Sequence, residues 1–543
     1  MAAALPETVT VRMYKGLLGD CFLLRLEDGG KPAHILIDCG VLYGAPAAKE
    51  TMRRVAADIL AELRKHVSEG DKPRLDLLVL THEHWDHLSG FAHAHDLLLD
   101  GSPLEIGELW LAWTEKPDDL QAQALRQRFG RRRRELGDLG LGAVDQADPS
   151  RPLAASDAAS AGVLGFLGPL PGLGAADALT TDRIIEEVRQ RARQIRYLEP
   201  GQVLSTPGST PLRTYVLGPP RDETRLFKDR PSQGPGRETY LNGEGHEALP
   251  ANDKANIRAL QRLAAAAAGT GGQAEAPAES SPFDQRYRSF TGAQVRAGTA
   301  RHQDGPEQER LRWWLHQHYV AERAPCRYEG RKPPKGHKCQ DDQLCRAHQA
   351  DRRIDGDWVR AAESLALKLD SDTNNTSLVL AFELRNGEVL LFAADAQVGN
   401  WESWYDRTYA GPHGPVTVDD LLVRTTLYKV GHHGSHNATL SGKGLERMTD
   451  RRLVALLSTN EAVAMRQGVR GWRMPWPELK YALVRRTSGR LLRGDAPRGQ
   501  DRDGTVLTQE PGFLARVTED PGGLWVEYRA GGELAPGPGQ EGP

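Results

Sequence analysis

LLVLTHEHWDH, residues 77–87, is an apolar run followed directly by three histidines and two acidic residues. The four aliphatic residues predict a buried β-strand. Because side chains alternate along an extended segment, His82 and His84 would point to the same side, with Asp86 and His87 facing the same point from the following turn. Imidazole and carboxylate are the usual protein ligands of zinc, manganese and iron. The stretch therefore predicts a site for two adjacent divalent metal ions.

Composition limits the classes of function open to this chain of 543 residues. A net charge of -3 gives no general attraction to nucleic acid, so any phosphate-binding surface would be local. The sequence contains no apolar run of about 18 residues and no secretion signal at its N-terminus, which predicts no membrane partner. Five cysteines argue against a disulfide framework. Together these features predict a cytoplasmic protein.

Apolar periodicity on both sides of the histidine stretch predicts an α/β fold. Residues 8–40 alternate like three paired strands, and residues 51–67 carry an apolar stripe at helical spacing. Farther along, residues 378–382 and 389–392 are apolar runs joined at Asn386-Gly387, a strong hairpin signal. We divide the chain into three parts. Residues 1–220 and 356–490 are the two halves of one α/β domain, and residues 221–355 are a polar, partly low-complexity insertion between them. Residues 491–543 are a C-terminal extension with a last strand and a frayed tail.

Two later strands also end in potential ligands. Asp395 follows the run 389–392, and His432 with His433 follows a predicted strand at 425–430. In isolation Asp395 could be a turn residue, and the two histidines could belong to a polar loop. Loops at the ends of strands converge at one edge of an α/β sheet, and the repeated pattern favours a shared site.

The order of these residues resembles that of metallo-β-lactamase superfamily hydrolases: Asp38 first, then the 82–87 cluster, then Asp395 and His432. The segments IDCG (37–40), NNTSLVL (374–380) and VGHHGS (430–435) resemble the hydrolase domain of bacterial competence proteins, the channels of DNA uptake. The resemblance extends over residues 8–115, 197–220 and 357–465. It implies an αββα metallo-β-lactamase sandwich with a dinuclear metal site at its edge.

The resemblance also implies a role for each residue. His82 and His84 would hold the first metal, Asp86, His87 and His432 would hold the second, Asp395 would bridge both, and Asp38 would orient the ligand loop. His433 is the alternative to its neighbour His432. In place of the family's middle histidine this chain has Thr373, Asn374 and Asn375, and an amide oxygen is a poorer zinc ligand than imidazole. We expect zinc, with manganese or magnesium as alternatives at the first position.

Two metals about 3.5–4 Å apart can lower the pKa of a water molecule and clamp a phosphoryl or carbonyl oxygen. Asp86 or Asp395 could accept the water proton. Lys429, Ser435 or His436 could stabilise a phosphate oxygen, with packing as the alternative role of each.

The insertion could hold a separate structural zinc ion. The candidate ligands lie close together in sequence: Cys326, His337, Cys339, Cys345 and His348. Their spacing is irregular, and free cysteines are the alternative. A basic patch at Arg126, Arg128 and 131–134 is interpreted as a solvated helical face rather than a DNA-binding surface.

Three functions are compatible with these features. The first is a metal-dependent phosphodiesterase, specifically a nuclease, whose partner is nucleic acid or another phosphodiester. The second is hydrolysis of a carbonyl substrate such as a lactone, thioester or β-lactam, because fold alone does not determine chemistry. The third is a scaffold in a multi-protein bacterial system, with protein partners bound through the insertion.

Overall fold

The computed structural model describes residues 5–27, 31–68, 70–138, 164–169, 179–232, 237–240, 368–467 and 471–532. They belong to one compact unit formed by Met1–Gly245 and Ala366–Pro543. The five candidate zinc ligands of the insertion, from Cys326 to His348, lie outside the described residues.

The strands of the described residues alternate with helices along the chain. The strands are β1 (Thr8–Tyr14), β2 (Cys21–Glu27), β3 (Ala33–Cys39), β4 (Arg74–Val79), β5 (Glu105–Ala112), β6 (Ala192–Leu198), β7 (Val203–Ser205), β8 (Arg213–Gly218), β9 (Val379–Glu383), β10 (Val389–Phe392), β11 (Thr408–Gly411), β12 (Gly414–Thr417), β13 (Thr425–Lys429), β14 (Val454–Leu457), β15 (Leu491–Arg493), β16 (Val517–Glu519) and β17 (Trp525–Gly531).

The α-helices are mostly short. They are α1 (Ala48–Arg64), α2 (Trp85–His93), α3 (His95–Leu98), α4 (Leu120–Asp138), α5 (Thr181–Arg191), α6 (Glu223–Leu226), α7 (Val398–Ser403), α8 (Val418–Val423), α9 (Glu461–Ala464), α10 (Pro477–Arg486) and α11 (Pro511–Leu514). Residues 164–167 and 368–374 are also helical. Within the described ranges, no helix combines the length and the apolar character that a membrane span requires.

Two large mixed sheets dominate the structure. The first has the order β16-β17-β1-β2-β3-β4-β5-β6, and the second has the order β15-β14-β13-β10-β9-β8-β7. In the first sheet β3 to β6 run parallel, and in the second β10, β13, β14 and β15 do so. The remaining pairs are antiparallel. The predicted α/β class is therefore confirmed at the level of mixed sheets with intervening helices.

The main hydrophobic core contains side chains from both large sheets. Its members include Val11, Ile35 and Val79 from the first sheet and Val216, Leu380 and Leu427 from the second. Burying such an aliphatic side chain contributes about 1.5–3 kcal/mol, so this shared layer holds the two sheets together.

Helices cover the other side of each sheet. In α1, Met52, Val55, Ile59 and Leu63 are buried in a cluster with strand residues of the first sheet, as the helical stripe predicts. A separate cluster joins Leu421 of α8 and Leu483 of α10 to the second sheet. Each helix thus buries one apolar face and leaves its polar face toward solvent.

Local signals predicted the central strands and not the edges. The three strands within 8–40, the hairpin at Asn386-Gly387 and the strand beginning at Thr425 are confirmed. Strands β5 and β6 were not predicted, and β6 alternates weakly because it lies at a sheet edge with several exposed side chains. The last predicted strand, now β17, pairs with β1 at the opposite end of the sequence.

Candidate metal centre

Strand ends from both sheets bring the candidate ligands together. The histidine stretch follows β4 of the first sheet, whereas Asp395 and the His432-His433 pair follow β10 and β13 of the second. These two strands are parallel neighbours, so their carboxyl ends lie side by side. The site is therefore built at the junction of the two sheets.

Four buried residues, which we name the four-ligand group, bring their donor atoms together: Asp86, His87, Asp395 and His433. One atom from each lies within 4.8 Å of all the others. His87 Nε2 is 3.2 Å from Asp395 Oδ2, and His433 Nε2 is 2.9 Å from Asp86 Oδ2. Ligand atoms about 2.0–2.2 Å from a tetrahedral ion lie roughly 3.4 Å apart, which matches this spacing. The group could hold a divalent metal ion.

Unpartnered atoms in the four-ligand group point to the same conclusion. Asp86 Oδ1 is buried without a hydrogen-bond partner within the described part of the chain, and His87 Nε2 and Asp395 Oδ2 have only their 3.2 Å ion-pair contact with each other and no hydrogen bond of good geometry there. A buried polar atom without a partner costs free energy, which a bound cation would remove. The donor set of two imidazoles and two carboxylates is one that zinc accepts.

The outer ring nitrogens of the two group histidines are held by oxygen atoms. His87 Nδ1 lies 2.8 Å from Asp38 Oδ2, and His433 Nδ1 lies 2.8 Å from the carbonyl oxygen of Ser458. Asp38 also accepts hydrogen bonds from the backbone N–H and the hydroxyl of Thr81, at 2.8 and 2.7 Å. Such contacts fix ring orientation and leave Nε2 free for a metal. Asp38 thus holds the His87 ring and Thr81, the residue that precedes the 82–87 cluster.

Close backbone packing fixes Asp86. The N–H of Asp20 donates to the carbonyl oxygen of Asp86 at 3.0 Å. A Cβ atom at Gly40 would lie 2.3 Å from that oxygen, and one at Gly19 would lie 2.6 Å from it. Both positions therefore require glycine, because any larger residue would displace the Asp86 backbone.

His82 and His84 form a pair beside the four-ligand group. His82 Nε2 is 3.0 Å from His84 Nδ1, and the His82 ring lies 4.2 Å from the His87 ring. The outer nitrogen of His82, Nδ1, faces the hydroxyls of Thr81 and Ser377 at 3.1 and 3.3 Å. The pair lies next to the four-ligand group and does not belong to it.

Of the two adjacent histidines that the sequence leaves as alternatives, His433 and not His432 lies in the four-ligand group. Both residues have left-handed backbone angles, with φ of 43° for His432 and 52° for His433, and this turn directs their rings apart. His432 Nε2 instead faces the side-chain amide of Asn374 at 3.4 Å. Burial lowers the pKa of His432 to about 3.

The two asparagines that replace the middle histidine have different surroundings. Asn374 donates to Asp370 Oδ2 at 3.1 Å, and its own Oδ1 is buried without a partner among the described residues. Asn375 donates to the carbonyl oxygen of Lys228 and accepts from the N–H of Gln397. Asn374 therefore borders the metal centre, whereas Asn375 ties neighbouring loops together.

Lys429 supports the carboxylates and has no proton left for a substrate. Its ammonium group contacts Asp20, the carbonyl oxygen of Ala394 at 3.0 Å and Asp395 Oδ1 at 3.4 Å. Three acceptors use the three donors of a lysine. Burial opposes its charge, but the Asp20 and Asp395 carboxylates prevail and raise the pKa of Lys429 to about 12.

Ser435 and His436 also lie outside the four-ligand group. The Ser435 hydroxyl donates to Asn437 Oδ1 at 3.0 Å, and the half-buried His436 ring lies 5.8 Å from Trp476. Their placement favours the packing role over contact with a phosphate oxygen.

Opposite charges stabilise each other within the site. Burial disfavours the charged form of His87, yet Asp395, Asp86 and Asp38 together raise its pKa well above the ordinary value. Burial likewise disfavours the Asp395 carboxylate, but His87, His433 and Lys429 lower its pKa. The Asp395 carboxylate thus stays charged in a buried location, whereas burial raises the pKa of Asp86.

Two neighbours of the centre were not predicted from the sequence. Asp370 is buried 3.6 Å from His84 Nε2, and its only sequence signal is the i, i+4 spacing to Asn374 on one helical face. Phe166 stacks on His433 and on Trp472, with ring planes inclined by 9° and 6°. Phe166 falls within a stretch whose composition is loop-like, so it gave no signal.

The arginines of α4 pair with the chain instead of forming a solvated face, which corrects that interpretation in part. Arg133 is buried and lies 2.5 Å from Glu83, and Arg132 lies 2.7 Å from Asp372. Only Arg131 and Arg134 in this patch are exposed. The helix therefore braces the segments that carry the ligands.

His34, Glu62 and His66 also lie close enough to share an ion. Both Glu62 oxygens are already engaged, however, by the side chains of Arg12, Arg25 and Lys65. A divalent cation would have to displace these positive groups, so this cluster is a charge network within the fold.

Comparison of the chain with protein-family models and with curated proteins found no match.

Proposed function

We propose that the chain is a metal-dependent hydrolase of the metallo-β-lactamase type, with an αββα sandwich, that cleaves phosphodiesters such as those of nucleic acid. The observation that carries the proposal is the four-ligand group, in which two imidazole and two carboxylate atoms converge in a buried site. A buried polar atom without a partner in the described part of the chain, such as Asp86 Oδ1, is uncommon in folded proteins. A metal site explains the unpartnered atoms and the supported histidines together.

Two divalent ions are proposed, one at each half of the site. The four-ligand group suits zinc, while His82 and His84 with nearby oxygen atoms suit zinc, manganese or magnesium. When bound, a metal pair lowers the pKa of water and withdraws charge from a phosphoryl oxygen.

The residues of the chain would divide the remaining work. Asp86 Oδ2 faces His433, whereas its Oδ1 has no partner in the described part of the chain and is free to accept the proton of an attacking water molecule. Lys429 holds Asp395 in place through a buried contact. Phe166 and Trp472 would exclude bulk water from the reacting group.

Local positive charge favours a phosphodiester over a neutral substrate. Arg132 and Lys368 both lie 2.7 Å from the buried carboxylate of Asp372, and Arg128 lies 3.9 Å from it. Lys368 has a second carboxylate, Asp229, at 3.4 Å. Three cations thus lie around Asp372 and Asp229 at segment 368–374, where they could also attract a phosphate backbone.

A substrate panel tests the proposal. Purified protein, with zinc, manganese or magnesium added in turn, would be offered bis-p-nitrophenyl phosphate, single- and double-stranded DNA, RNA, and a chromogenic β-lactam. We expect cleavage of the phosphodiester and of a nucleic acid by wild type, and its loss in His433→Ala. His413→Ala is the matched control, because His413 is exposed on the β11–β12 hairpin.

The other outcomes separate the remaining functions. Turnover of the β-lactam alone would assign the site to carbonyl substrates and refute the phosphodiesterase. Metal binding without turnover of any substrate would contradict the proposed hydrolase for these substrates and favour a scaffold. Equal activity in His433→Ala and wild type would show that the four-ligand group is not the reacting centre.

A further inference from the structure

The histidines of the metal centre share a pattern in their outer ring nitrogens. Nδ1 of His87 faces Asp38, Nδ1 of His433 faces the Ser458 carbonyl, and Nδ1 of His82 faces hydroxyl groups. In each case an oxygen holds one nitrogen and the other is directed toward the centre. This arrangement fixes the tautomer and the ring orientation of a metal-binding histidine.

His84 completes the pattern only if Asp370 is its oxygen partner. His84 Nε2 lies 3.6 Å from Asp370 Oδ1, and neither atom has a hydrogen-bond partner within the described ranges. Both residues are buried, with relative exposures of 0% and 6%. The other oxygen of Asp370 is held by the Asn374 amide at 3.1 Å, so Oδ1 is directed at His84.

Asp370 has no cation of its own in the described part of the chain. Its neighbour Asp372 takes the available positive groups, Arg132, Arg128 and Lys368. A buried carboxylate without a positive partner is expensive to maintain, and it is tolerated where a metal or an ionised ligand supplies the missing charge. A cation next to His84 would supply it here.

We propose that Asp370 is a positioning residue that holds the Nε2–H of His84, so that His84 Nδ1 and His82 Nε2 together face one divalent cation. These two nitrogens lie 3.0 Å apart, a separation that two ligands of one ion can share. The inference rests on the proposed metal centre. It assigns the Asp370 carboxylate to the proposed ion at His82 and His84, the one for which the family's middle histidine is missing. A small rotation of the His84 ring would bring Nε2 and Oδ1 to hydrogen-bond distance.

Metal content and cobalt spectroscopy test this role without any assay of turnover. Wild type, Asp370→Ala and Asp370→Asn would be loaded with cobalt and titrated, following the visible absorption bands and the number of ions bound. We expect two ions in wild type. In Asp370→Ala one ion would bind roughly 10–100-fold more weakly, with changed absorption, while the other ion would be unaffected.

Asp370→Asn separates positioning from direct ligation. Its amide oxygen can still accept the Nε2–H of His84, so we expect it to restore most of the affinity and the wild-type spectrum. If it binds as weakly as Asp370→Ala, the carboxylate acts as a ligand through its charge and the positioning role is refuted. Asp96→Asn, an exposed carboxylate paired with Arg53, is the control for general charge effects.

The test also separates this inference from the hydrolase proposal. Two bound ions in wild type, one of them sensitive to Asp370, would support the inference even if no substrate is cleaved. A single bound ion, unchanged by Asp370→Ala, would overturn the inference while leaving the hydrolase possible through the four-ligand group. A thermal melt of each variant shows whether unfolding causes the loss of metal. If Asp370→Ala does not fold, the comparison is made between wild type and the near-isosteric Asp370→Asn.

Discussion

Arg133 Nη2 lies 2.5 Å from Glu83 Oε1, which joins helix α4 to the peptide segment between His82 and His84. Both side chains are buried. Burial raises the pKa of Glu83, and the charge of Arg133 opposes this shift. The ion pair therefore holds the ligand loop in place at a considerable desolvation cost.

Removal of one partner should expose that cost. Arg133→Leu is expected to lower the free energy of unfolding by about 3–5 kcal/mol, because it leaves Glu83 buried without a counterion. Urea unfolding followed by circular dichroism measures the change. Arg131→Leu, at an exposed position of the same helix, is the control. The double variant Glu83→Leu/Arg133→Leu should recover most of the loss, and a double variant no more stable than Arg133→Leu would contradict this account.

Asp38→Ala should weaken metal binding through His87. Without the 2.8 Å contact to Asp38, the His87 ring is free to turn and its Nε2 is no longer directed at the four-ligand group. We expect the affinity of that position to fall roughly 10–100-fold. Calorimetric zinc titration would measure it, with Asp96→Ala as the control. Unchanged affinity would mean that the Thr81 and Asp38 contacts do not orient the ligand.

His34 should make stability depend on pH. Burial lowers the pKa of His34 to about 4, below the value of about 6.5 in an unfolded chain. Between these values the unfolded state binds more protons, so this contribution to stability is complete above pH 6.5 and is lost as the pH falls toward 4, at most about 3 kcal/mol.

The replacement His34→Gln should reduce that pH dependence. Urea unfolding midpoints measured from pH 7 to 4 are expected to change less steeply than in wild type, since the variant has no proton to take up at this position. His413→Gln, which alters an exposed histidine, should retain the wild-type slope. Parallel curves for His34→Gln and wild type would rule out His34 as a source of the dependence.

Phe166→Ala should open the metal centre. The ring is stacked against His433 and Trp472 and is almost fully buried. Its removal would let a chelator reach the ligands, so we expect several-fold faster loss of zinc to excess EDTA. Tyr481→Ala, at an exposed position, controls for the loss of an aromatic ring. An unchanged rate would show that exchange follows another route or requires wider opening of the chain.

The parts of the molecule that the sequence could predict are those with strong local signals. Strand β4 and its ligands are adjacent in sequence, and the hairpin at Asn386-Gly387 depends on a turn that few residues adopt. The six residues from 82 to 87 predict a metal site, and the structure brings two of them, Asp86 and His87, into a group that could hold an ion.

The remaining parts depend on contacts between distant residues. The choice of His433 over His432 follows from left-handed backbone angles at two adjacent positions, which residue type does not reveal. Asp370 lies close to His84 only because the helical segment 368–374 folds back beside it, and this proximity has no signal in the sequence. Lys429 is a candidate phosphate-binding residue by its position in the sequence, but in the structure its ammonium group already contacts three acceptors. Adjacency in sequence cannot show such contacts.

The contact between Asp86 and His433 spans 347 positions of the sequence. Neither the N-terminal nor the C-terminal half of the sheets contains the complete four-ligand group, so high metal affinity can arise only after both sheets have docked. An ion bound there acts as a reversible cross-link, adding about 4 kcal/mol to the unfolding free energy at a free concentration a thousand times its dissociation constant. Tight metal binding therefore indicates that both sheets have folded and docked. Chains that have folded only in part should be recovered without metal.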